Sequence, residues 1–566
     1  MAIITAKNLT FKYDSLKNPT LHDINLEIGE GEKVLIAGPS GCGKSTLAHL
    51  INGLIPYTYK GDISGELTVD GIDPSALTIY DVSEHVGTIL QDQDAQFVAL
   101  TVAEDVAFVY ENNNVPIPEM REGVKQTLEW MDMLDFSDST PQNLSGGQRQ
   151  KVGMAGVLAS RTPILLFDEP LANLDPMSGY HAMQTINYIH EQANKTVIVI
   201  EHRIEDVIEH GFDRIIVMEN GKIVGNDTPD AILTSGMLSD CGLREPLYIE
   251  AIKNCGADIS HASGLSKIEN CMPFKDCVLQ SYKSTHVPIP PPNDDVILSV
   301  RDMRFRYFDD SPLVLNDISF DIKKGEFLAM LGNNGAGKST ILKVLTGFLK
   351  NAEGRIEYRG RDITGDSIRE RAKIIGYVMQ NPNHMITQNL VKDEVGFGLK
   401  NNGWKQAAID EQVGKILKVC GLYGYRNWPI NNLSYGQKKR VTIASILALE
   451  PEIIVLDEPT AGQDQANYVR FMTFLEQIKQ QGTTIVMITH DMQLSLEYAE
   501  RGIVLHNGEI IADKNIFEIF ADESVLKTAN LKHTSITTLA NLYGIEHKDM
   551  FMAYFVQRLK EVGTIE

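Results

Sequence analysis

Cysteines are few in this sequence and long hydrophobic runs are missing, and both absences narrow the class of protein. The 566 residues include six cysteines, whose scattered positions match no zinc or iron–sulfur spacing and indicate a cytosolic protein with reduced thiols. The apolar runs at 164–167 and 196–200 are far shorter than the roughly 18 residues that a membrane-spanning helix needs. Because the first residues lack the basic and apolar regions of a secretory signal, we expect neither export nor a spanning segment.

Basic residues are the minority among the charged side chains. Lysine and arginine number 52 against 75 aspartate and glutamate residues, a formal net charge of -23. This balance argues against a general nucleic-acid binder, since such proteins need a basic surface. With 43% apolar and 22% charged residues, the composition is that of an ordinary globular protein. A single core rarely exceeds roughly 250 to 300 residues, so the length predicts two domains.

The sequence contains two copies of one set of short motifs. The motifs recur at an offset of about 290 residues, which indicates an internal duplication. They are GPSGCGKST at 38–46 and GNNGAGKST at 332–340, LSGGQ at 144–148 and LSYGQ at 433–437, LLFDEP at 165–170 and IVLDEP at 454–459, and IEH at 200–202 and ITH at 488–490. The first copy holds about five extra residues after its glycine loop.

The duplication predicts the domain organisation. The predicted segments are a first domain at 1–256, a linker at 257–294, a second domain at 295–545 and a helical extension at 546–566. The linker ends in VPIPPPNDD, whose prolines favour an extended, semi-rigid tether. The extension carries apolar residues at helical spacing, which predicts an amphipathic helix.

Each copy alternates strand-like and helical stretches. Short apolar runs such as KVLIAG and TVIVIEH stand between helical segments, an order that predicts an α/β fold with a largely parallel sheet. Ligands of such folds bind where loops leave the carboxyl ends of the strands. The repeated motifs lie at those loops.

The pattern G-x-x-x-x-G-K-[ST] follows a strand-like run in each copy. Its glycines let backbone amides surround phosphates, and Lys44 or Lys338 adds positive charge. The helix that begins after the loop contributes the positive end of its dipole, and Ser45 and Ser339 offer a hydroxyl to Mg²⁺. A single copy would also fit an ordinary tight turn, but two copies in the same context favour a phosphate site.

An acidic pair ends one strand of each copy, Asp168–Glu169 and Asp457–Glu458. Solvated acid pairs are common at strand ends, and that alternative would hold for a single copy. Beside a phosphate loop, the pattern assigns the aspartate to Mg²⁺ through water, and the glutamate to orienting and deprotonating the attacking water. Phosphoryl transfer requires mainly this positioning and charge neutralisation.

The LSGGQ and LSYGQ motifs each precede a helical run. Their serine can cap the helix and their glycines expose the backbone, which favours an anion at the helix start, although an ordinary capped helix also fits. With these motifs the sequence resembles two fused nucleotide-binding domains of ATP-binding cassette (ABC) transporters. The resemblance implies two tandem ABC-type P-loop domains, each with a RecA-like core and a helical subdomain. It also implies ATP and Mg²⁺ as ligands, and ATP hydrolysis coupled to transport.

In that family the signature motif of one domain faces the phosphate loop of the other, so the resemblance implies two composite ATP sites. The first combines Lys44, Ser45, Gln91, Asp168, Glu169 and His202 with Ser434, Gly436 and Gln437. The second combines Lys338, Ser339, Gln380, Asp457, Glu458 and His490 with Ser145, Gly147 and Gln148. The phosphate loops add Gly38, Gly41, Gly43 and Thr46 to the first and Gly332, Gly335, Gly337 and Thr340 to the second.

The resemblance also implies a role for each residue. The Mg²⁺ ligands are Ser45, Gln91 and Asp168 in one copy, and Ser339, Gln380 and Asp457 in the other. The catalytic residues are Glu169, His202, Glu458 and His490, and the histidines donate a hydrogen bond to the terminal phosphate and the attacking water. Tyr13 and Tyr307 match the aromatic residue that stacks on adenine, and Asp175 and Asp464 match the aspartates that link the two sites.

The second signature motif departs from the family pattern, because Tyr435 stands where the first copy has Gly146. Gly436, which allows the backbone to approach a phosphate, remains. Both glutamates and both histidines are also present. We therefore expect both sites to hydrolyse ATP, at rates that can differ.

The segments after Gln91 and Gln380 resemble those of the ATPases of energy-coupling factor (ECF) importers, which take up vitamins, vitamin precursors or transition-metal ions. The second copy reads QNPNHMI, whereas the first has Gln93 where proline is usual. In this group the segment contacts helices of the membrane partners, which assigns Phe97, Met385 and Ile386 to that contact. The alternative is that these side chains pack inside their own domain.

The resemblance thus implies a peripheral protein on the cytoplasmic face of the membrane, with separate coupling and substrate-binding subunits and no nucleic-acid partner. Two alternatives stay open: the fused ATPase of a binding-protein-dependent sugar importer, and a soluble twin-cassette ATPase of translation or repair. The translation group usually carries a long charged helical linker, unlike the proline-bearing connection here. The transported molecule is not encoded in this sequence.

Overall fold

The protein is described here by a computed structural model that covers residues 1–90, 96–160, 162–172, 174–283, 294–350, 352–459 and 465–563. The chain forms two compact units. The first comprises Met1–Gln280 and Asp464–Ala466, and the second comprises Ser281–Gln463 and Asn467–Glu566. Among the helices of the described ranges, none combines the length and the hydropathy that a membrane crossing requires.

The first unit contains both strands and helices in alternation. Its strands are β1 Ala2–Tyr13, β2 Leu21–Gly29, β3 Lys33–Ala37, β4 Gly61–Val69, β5 Val86–Ile89, β6 Ile164–Asp168, β7 Thr196–Ile200, β8 Arg214–Glu219 and β9 Lys222–Asp227. Its helices are α1 Lys44–Ile51, α2 Leu54–Tyr57, α3 Ile79–Ser83, α4 Val102–Asn112, α5 Ile117–Trp130, α6 Gly146–Ala159, α7 Pro176–Ala193, α8 Ile204–Ile208, α9 Pro229–Ser235, α10 Met237–Asp240, α11 Leu247–Asn254 and α12 Lys275–Lys283, of which the last three residues belong to the second unit.

Two sheets form the first unit. A six-stranded sheet has the order β5-β6-β7-β3-β8-β9 and is parallel except for its last pair, while β2-β1-β4 forms a separate antiparallel sheet. All five residues of β3 and of β7 are buried, as expected for strands of a parallel sheet that is covered on both faces. The predicted α/β fold is confirmed.

The second unit repeats this architecture. Its strands are β10 Val296–Phe305, β11 Leu315–Lys323, β12 Phe327–Leu331, β13 Glu353–Tyr358, β14 Arg361–Asp362, β15 Ile375–Val378, β16 Ile453–Asp457, β17 Thr484–Ile488, β18 Arg501–His506 and β19 Glu509–Asn515. Its helices are α13 Lys338–Leu345, α14 Ile368–Arg371, α15 Val391–Asn401, α16 Gln406–Val419, α17 Tyr435–Leu447, α18 Gln465–Gln480, α19 Met492–Tyr498, α20 Ile516–Ala521, α21 Glu523–Thr528, α22 Ser535–Tyr543 and α23 Lys548–Gly563. The six-stranded sheet runs β15-β16-β17-β12-β18-β19, beside β11-β10-β13-β14.

Sheet order places the predicted motifs side by side. In the second unit β17 lies between β12 and β16, and Ile488 pairs with Met330 on one side and Asp457 on the other. In the first unit Ile200 pairs with Ile36 and Asp168 in the same way. Because these strands are parallel, the loops that follow them emerge at one edge of each sheet.

The interval 257–294 is not extended throughout. Residues 268–274 form a 3₁₀ helix that leads into α12, and the first compact unit includes the chain as far as Gln280. Asp230 accepts hydrogen bonds from the amides of Gly264 and Leu265, at 2.6 and 2.8 Å. The proline run lies in 284–293, outside the described residues.

The predicted C-terminal helix is present as α23 and is an integral part of the second unit. Phe551, Tyr554 and Phe555 are buried. The hydroxyls of Tyr554 and Ser281 are 2.6 Å apart, and the ring of Tyr282 packs edge-on against that of Phe551, with 5.4 Å between ring centres. The helix therefore packs against the end of α12.

Candidate functional site

The glycine loop of the first unit connects β3 to α1. Lys44, the first residue of α1, is buried and its Nζ donates to the carbonyls of Gly38 and Pro39, at 2.6 and 3.0 Å. A Cβ on Gly38 would lie 2.4 Å from the carbonyl oxygen of Met218. Gly43 has φ +105°, which strains any other residue. The loop conformation therefore requires glycine at these positions.

The second unit reproduces this loop between β12 and α13. Lys338 Nζ donates to the carbonyls of Gly332 and Asn333, at 2.7 and 2.8 Å. Gly332 has φ +145°, and a Cβ there would lie 2.4 Å from the carbonyl oxygen of Leu505. In both units a buried ammonium group and the start of a helix converge on one loop, a combination that binds phosphate.

Asp168 ends β6 next to the first loop. Its Oδ1 is buried and accepts no hydrogen bond, while Ser45 donates one to the carboxylate. Burial raises the pKa of Asp168 to about 6, and the charge of Glu169 adds to the increase. A buried carboxylate oxygen without a donor, beside a hydroxyl, matches the hard oxygen ligands that Mg²⁺ prefers.

Asp457 occupies the same place in the second unit, with a different neighbour. Ser339 Oγ donates to its Oδ1 at 3.4 Å, and the hydroxyl of Tyr377 donates to its Oδ2 at 2.9 Å. Burial raises the pKa of Tyr377, so this residue stays a donor. Tyr377 was not predicted, although aligning VGTI of β5 with IGYV of β15 shows that it replaces Thr88.

These donor sets suit Mg²⁺ bound together with a nucleotide. Within the described residues, no group of three or more His, Cys, Asp and Glu side chains could hold a metal ion. Each unit instead offers one aspartate and one serine hydroxyl. Such a donor set fits Mg²⁺ sites of the kind that are completed by substrate phosphates and water.

A glutamate and a histidine lie together beside each aspartate. His202 Nδ1 is 3.7 Å from Glu169 Oε1 and 3.3 Å from Glu201 Oε1. In the second unit His490 Nε2 is 3.2 Å from Glu458 Oε1. Glu169 and Glu458 share a left-handed backbone, with φ of 49° and 46°, so both units hold the glutamate in the same sparsely populated conformation.

Electrostatics distinguish the two glutamates. Burial alone raises the pKa of Glu169, but the hydrogen bond and the charge of His202 outweigh it and hold the pKa below its ordinary value. Burial raises the pKa of Glu458 above its ordinary value, although the charge of Lys338 opposes the increase. The pKa of His202 is also raised, because Glu169 and Glu201 outweigh its burial.

Both signature motifs cap a helix, as predicted. Ser145 Oγ accepts from the amide of Gln148 at 3.3 Å, and Gln148 Oε1 accepts from the amide of Ser145 at 3.0 Å. Ser434 and Gln437 form the same reciprocal pair at 3.3 and 2.9 Å. The first turns of α6 and α17 therefore have a fixed geometry, with Gly146–Gly147 and Tyr435–Gly436 at their start.

Two residues of α17 contact the other motifs of the second unit. Lys439 is fully buried and its Nζ donates to the carbonyl of Glu458 at 3.0 Å, while the Tyr435 hydroxyl donates to the carbonyl of Gln380 at 3.3 Å. Burial lowers the pKa of Lys439 to about 8, against the charges of Glu458 and Asp457. In α6 the residue equivalent to Lys439 is Gln150, which donates to the carbonyl of Pro170 at 2.6 Å.

The predicted adenine-stacking tyrosines lie beside the glycine loops. The hydroxyls of Tyr13 and Tyr307 are 3.1 and 3.2 Å from the hydroxyls of Thr46 and Thr340. The first unit adds Tyr59, which stacks on His49 at 4.6 Å between ring centres and faces Tyr13 edge-on at 6.4 Å. Tyr59 lies in the extra segment of the first copy and has no counterpart in the second.

The remaining predicted residues are placed as follows. Asp175 caps α7 by accepting from the amide and the hydroxyl of Ser178, both at 2.9 Å. Met385 and Ile386 are half-buried against the core of the second unit, and Phe97 is also half-buried. Gln91 and Asp464 lie outside the described residues. Each unit thus brings together its own lysine, serine, aspartate, glutamate and histidine, and the pairing of each set with the signature motif of the other unit stays a prediction.

Comparisons with known proteins show the family to which the chain belongs. Residues 21–172 and 315–461 match the ABC transporter family, and residues 235–305 match a family described as ATP-binding cassette cobalt transporter. An ABC transporter ATP-binding protein of Photobacterium profundum is 47% identical over 557 residues, 98% of this chain and 99% of that protein. One of Enterococcus faecalis is 47% identical over 565 residues, 99% of each chain.

A solved structure is also similar to part of the chain. The structure of cbiO1 from Clostridium perfringens, part of the ABC transporter complex cbiONQ, is 35% identical. The similarity covers 44% of this chain and 100% of that one, with a TM-score of 0.39. The two full-length relatives, by contrast, extend over both units and the segment that joins them.

Proposed function

The chain belongs to the ABC transporter family as an ATP-binding subunit that hydrolyses ATP, and from this premise we propose that it is the motor of an ECF-type importer. The observation that carries the ATPase assignment is the repeated set of a buried loop lysine, a strand-end aspartate and a glutamate–histidine pair. The family to which it belongs pairs such a subunit with membrane proteins. We place the chain at the cytoplasmic face of the membrane, bound to those partners.

We assign each step of hydrolysis to a residue of this repeated set. Lys44 and Lys338 exchange the loop carbonyls that they now contact for the oxygens of the β- and γ-phosphates, which are stronger acceptors. Glu169 and Glu458 orient the attacking water and take its proton, and His202 and His490 donate to the terminal phosphate. Bound Mg²⁺ supplies neutralisation of the phosphate charge, held by Ser45 with Asp168 and by Ser339 with Asp457. Gln91 and Gln380 complete this ligand set.

Two composite sites follow from the family arrangement. In our proposal the capped turn at Ser145 contacts ATP on Lys338, and the turn at Ser434 contacts ATP on Lys44. Binding of ATP favours the closed pair of units because these contacts exist only in the closed state. Hydrolysis removes them and reopens the pair, which drives the membrane partners.

A divalent transition-metal ion is the substrate class that we favour for the transporter. The match of residues 235–305 to a family of cobalt transporters supports this choice. The segment Gln380–Asn381–Pro382 supports the ECF-type assignment, and it forms a tight turn in which Asn381 Oδ1 accepts from the amide of Asn383 at 2.9 Å. The substrate itself binds a membrane subunit, and a vitamin or vitamin precursor is the competing class.

The ATPase proposal is tested on the purified full chain. We expect Lys44→Ala combined with Lys338→Ala to abolish Mg²⁺-dependent ATP hydrolysis, because both phosphate loops then lack their charge. Lys222→Ala, an exposed lysine of β9, is the matched control and should leave hydrolysis unchanged. Full activity of the double variant would refute the proposal.

The importer proposal is tested in membranes. A tagged chain should recover integral-membrane subunits from detergent-solubilised membranes of its own host, identified by mass spectrometry. Cells that express the chain with those subunits should accumulate radioactive cobalt, and the Lys44→Ala, Lys338→Ala variant should not. Uptake of labelled thiamine instead of cobalt would show that the substrate is a vitamin. Recovery of ribosomes with the tagged chain would exclude the importer proposal.

A further inference from the structure

The signature helix of the second unit carries two side chains that its counterpart lacks. Tyr435 and Lys439 of α17 stand where α6 has Gly146 and Gln150. They lie one turn apart on the helix, with Lys439 Nζ 5.8 Å from the centre of the Tyr435 ring. Residues four apart on a helix share one face, so both side chains point toward the same part of the second unit.

Lys439 contacts the backbone of the glutamate that we assign to catalysis. Its side chain is fully buried and its Nζ donates to the carbonyl of Glu458 at 3.0 Å. The backbone of Glu458 is left-handed, with φ 46°, a conformation that persists only where neighbouring groups hold it. A charged donor on the carbonyl of that residue is such a group, because hydrogen bonds from ammonium groups are stronger than neutral ones.

Tyr435 contacts a second catalytic segment. Its hydroxyl donates to the carbonyl of Gln380 at 3.3 Å, and Gln380 is the predicted Mg²⁺ ligand of this unit. The first two turns of α17 are thereby joined to two loops, the one after β15 and the one after β16. The Tyr435 contact starts in the turn that Ser434 caps, and the Lys439 contact starts one turn further along the helix.

In the first unit, α6 carries neither of these two side chains. Gly146 has no side chain, and Gln150 donates to the carbonyl of Pro170 instead of that of Glu169. A neutral amide also replaces the charged ammonium group. The two signature helices therefore differ in the side chains that these two positions offer to the neighbouring loops.

We infer that Lys439 positions Glu458 and, together with Tyr435, couples the signature turn of the second unit to hydrolysis in that unit. This inference rests on the proposed function, in which Ser434 contacts the nucleotide held by Lys44. ATP at the first site then fixes the turn, and the turn fixes the carbonyls of Glu458 and Gln380 at the second site. Because α6 has Gly146 and Gln150 at the equivalent positions, the coupling through a tyrosine and a lysine belongs to α17.

The positioning role is tested by replacing Lys439 in the full chain, in a Glu169→Gln background where turnover reports Glu458. Lys439→Met removes the donor at nearly equal volume, and Lys439→Gln copies the residue of the first unit. We expect both to lower kcat about tenfold with KM within about twofold, since Lys439 does not contact the nucleotide. Lys439→Arg keeps a charged donor and should retain at least about half of kcat.

A helix substitution away from the contact provides the control. Thr442→Val removes a buried hydroxyl that donates to the carbonyl of Lys439 within α17, and it should leave kcat and KM unchanged. If Glu169→Gln alone stops all turnover, the two sites hydrolyse ATP only together. The Lys439 variants are then made without Glu169→Gln, and their turnover reports the effect on Glu458. Equal losses in Lys439→Met and Lys439→Arg would reduce Lys439 to a packing residue and overturn the inference.

The coupling is read from the dependence of turnover on ATP concentration. We expect cooperative dependence in the unchanged chain and in Thr442→Val, and hyperbolic dependence in Lys439→Met. Tyr435→Phe, which keeps the ring and loses the donor to Gln380, should also weaken cooperativity. Non-cooperative turnover in the unchanged chain, or cooperativity that survives Lys439→Met, would contradict the coupling.

Failure of this inference differs from failure of the proposed function. If Lys44→Ala with Lys338→Ala loses hydrolysis while the Lys439 variants behave as the unchanged chain, the positioning and coupling roles of Lys439 are wrong and the proposed function stands. If that double variant hydrolyses ATP normally, the sites themselves are wrongly assigned. Thermal unfolding of each variant, measured with and without ATP, separates loss of fold from loss of turnover.

Discussion

Single glycines control the shape of the phosphate loops, and the reason is the backbone that passes close to them. A Cβ on Gly38 would meet the carbonyl of Met218 at 2.4 Å, and one on Gly332 would meet that of Leu505 at the same distance. Contacts this short with backbone atoms move the loop, because no side chain can rotate away. The phosphate-binding amides then lose their common orientation.

Gly38→Ala is therefore expected to weaken ATP binding by at least about tenfold at the first site, a loss that follows from displaced donors. Gly156→Ala is the control, because a Cβ there meets nothing within 4 Å. In the middle of α6 this change should stabilise the protein by up to about 1 kcal/mol. Fluorescent-nucleotide titration and thermal unfolding measure the two effects, and unchanged nucleotide affinity in Gly38→Ala would count against the crowding described here.

The strand-end aspartates Asp168 and Asp457 show which contacts cannot be predicted from motifs alone. Their position at strand ends was predictable, since the acid follows an apolar run beside the loop motif. The donor from Tyr377 to Asp457 was not, because it joins residues 80 positions apart whose proximity depends on sheet order. The same holds for Lys439, which sequence patterns assign to an ordinary helix and which lies fully buried against Glu458.

At the scale of elements, the capped starts of α4 and α6 offer a matched pair. Thr101 and Ser145 each form the same reciprocal cap, with Glu104 and Gln148. Replacing either residue with alanine should cost about 1 kcal/mol of stability. Only Ser145 is assigned to a nucleotide site.

We therefore expect Ser145→Ala and Thr101→Ala to lower the stability equally. Only Ser145→Ala should also lose part of the ATP turnover. Its hydroxyl is a donor for the terminal phosphate once the composite site has formed, so the remaining activity should come from the other site. Chemical denaturation and steady-state hydrolysis test this pair. Equal activity in the two variants would limit the role of Ser145 to capping.

The last helix, α23, allows a second test at the scale of elements. Phe551 is buried in α23, whereas Met550, its neighbour, is 44% exposed. Phe551→Ala should destabilise the second unit by about 3 to 5 kcal/mol, the usual cost of an aromatic cavity. Met550→Ala should change stability by less than about 0.5 kcal/mol. Urea unfolding monitored by circular dichroism distinguishes a packed helix from a loosely attached one, for which both variants would behave alike.

Strands and caps were the elements that the sequence predicted best. The runs KVLIA, TVIVI and TIVMI are buried along their whole length, as continuous apolar stretches in a parallel sheet must be. The interval 257–294 was predicted less well, because its prolines suggested a tether and its first part is folded. The end of the short helix α12 packs against α23, and no local sequence pattern encodes these tertiary contacts.

For the whole molecule, duplication has produced two ATPase units that are alike in plan and different in detail. Glu169 has the imidazole of His202 and a second acid, Glu201, nearby, while Glu458 has His490 and Lys439. All the residues that the proposed reaction needs are present in both. Activity is thus expected from both, at different rates.

Glu169→Gln and Glu458→Gln should each lower steady-state hydrolysis without abolishing it, and the double variant should be inactive, since amides cannot accept the proton of the attacking water. Each single variant should still bind ATP with unchanged affinity. If one of the two substitutions leaves ATP turnover unchanged, the site that carries this substitution is regulatory and does not contribute to hydrolysis. Rapid-quench measurement of the first turnover gives the rate of each site separately.

Ser281 and Tyr282 lie near the end of α12 and pack against the final helix. Ser281 contacts the hydroxyl of Tyr554, and Tyr282 contacts the ring of Phe551. A protein engineer who wishes to produce the second half alone would be misled by the proline run. A fragment that starts at residue 294 leaves Phe551 and Tyr554 without two of their neighbours and exposes apolar surface to water. A fragment that starts at Lys275 keeps them, and it is the one that should remain soluble and monodisperse on expression.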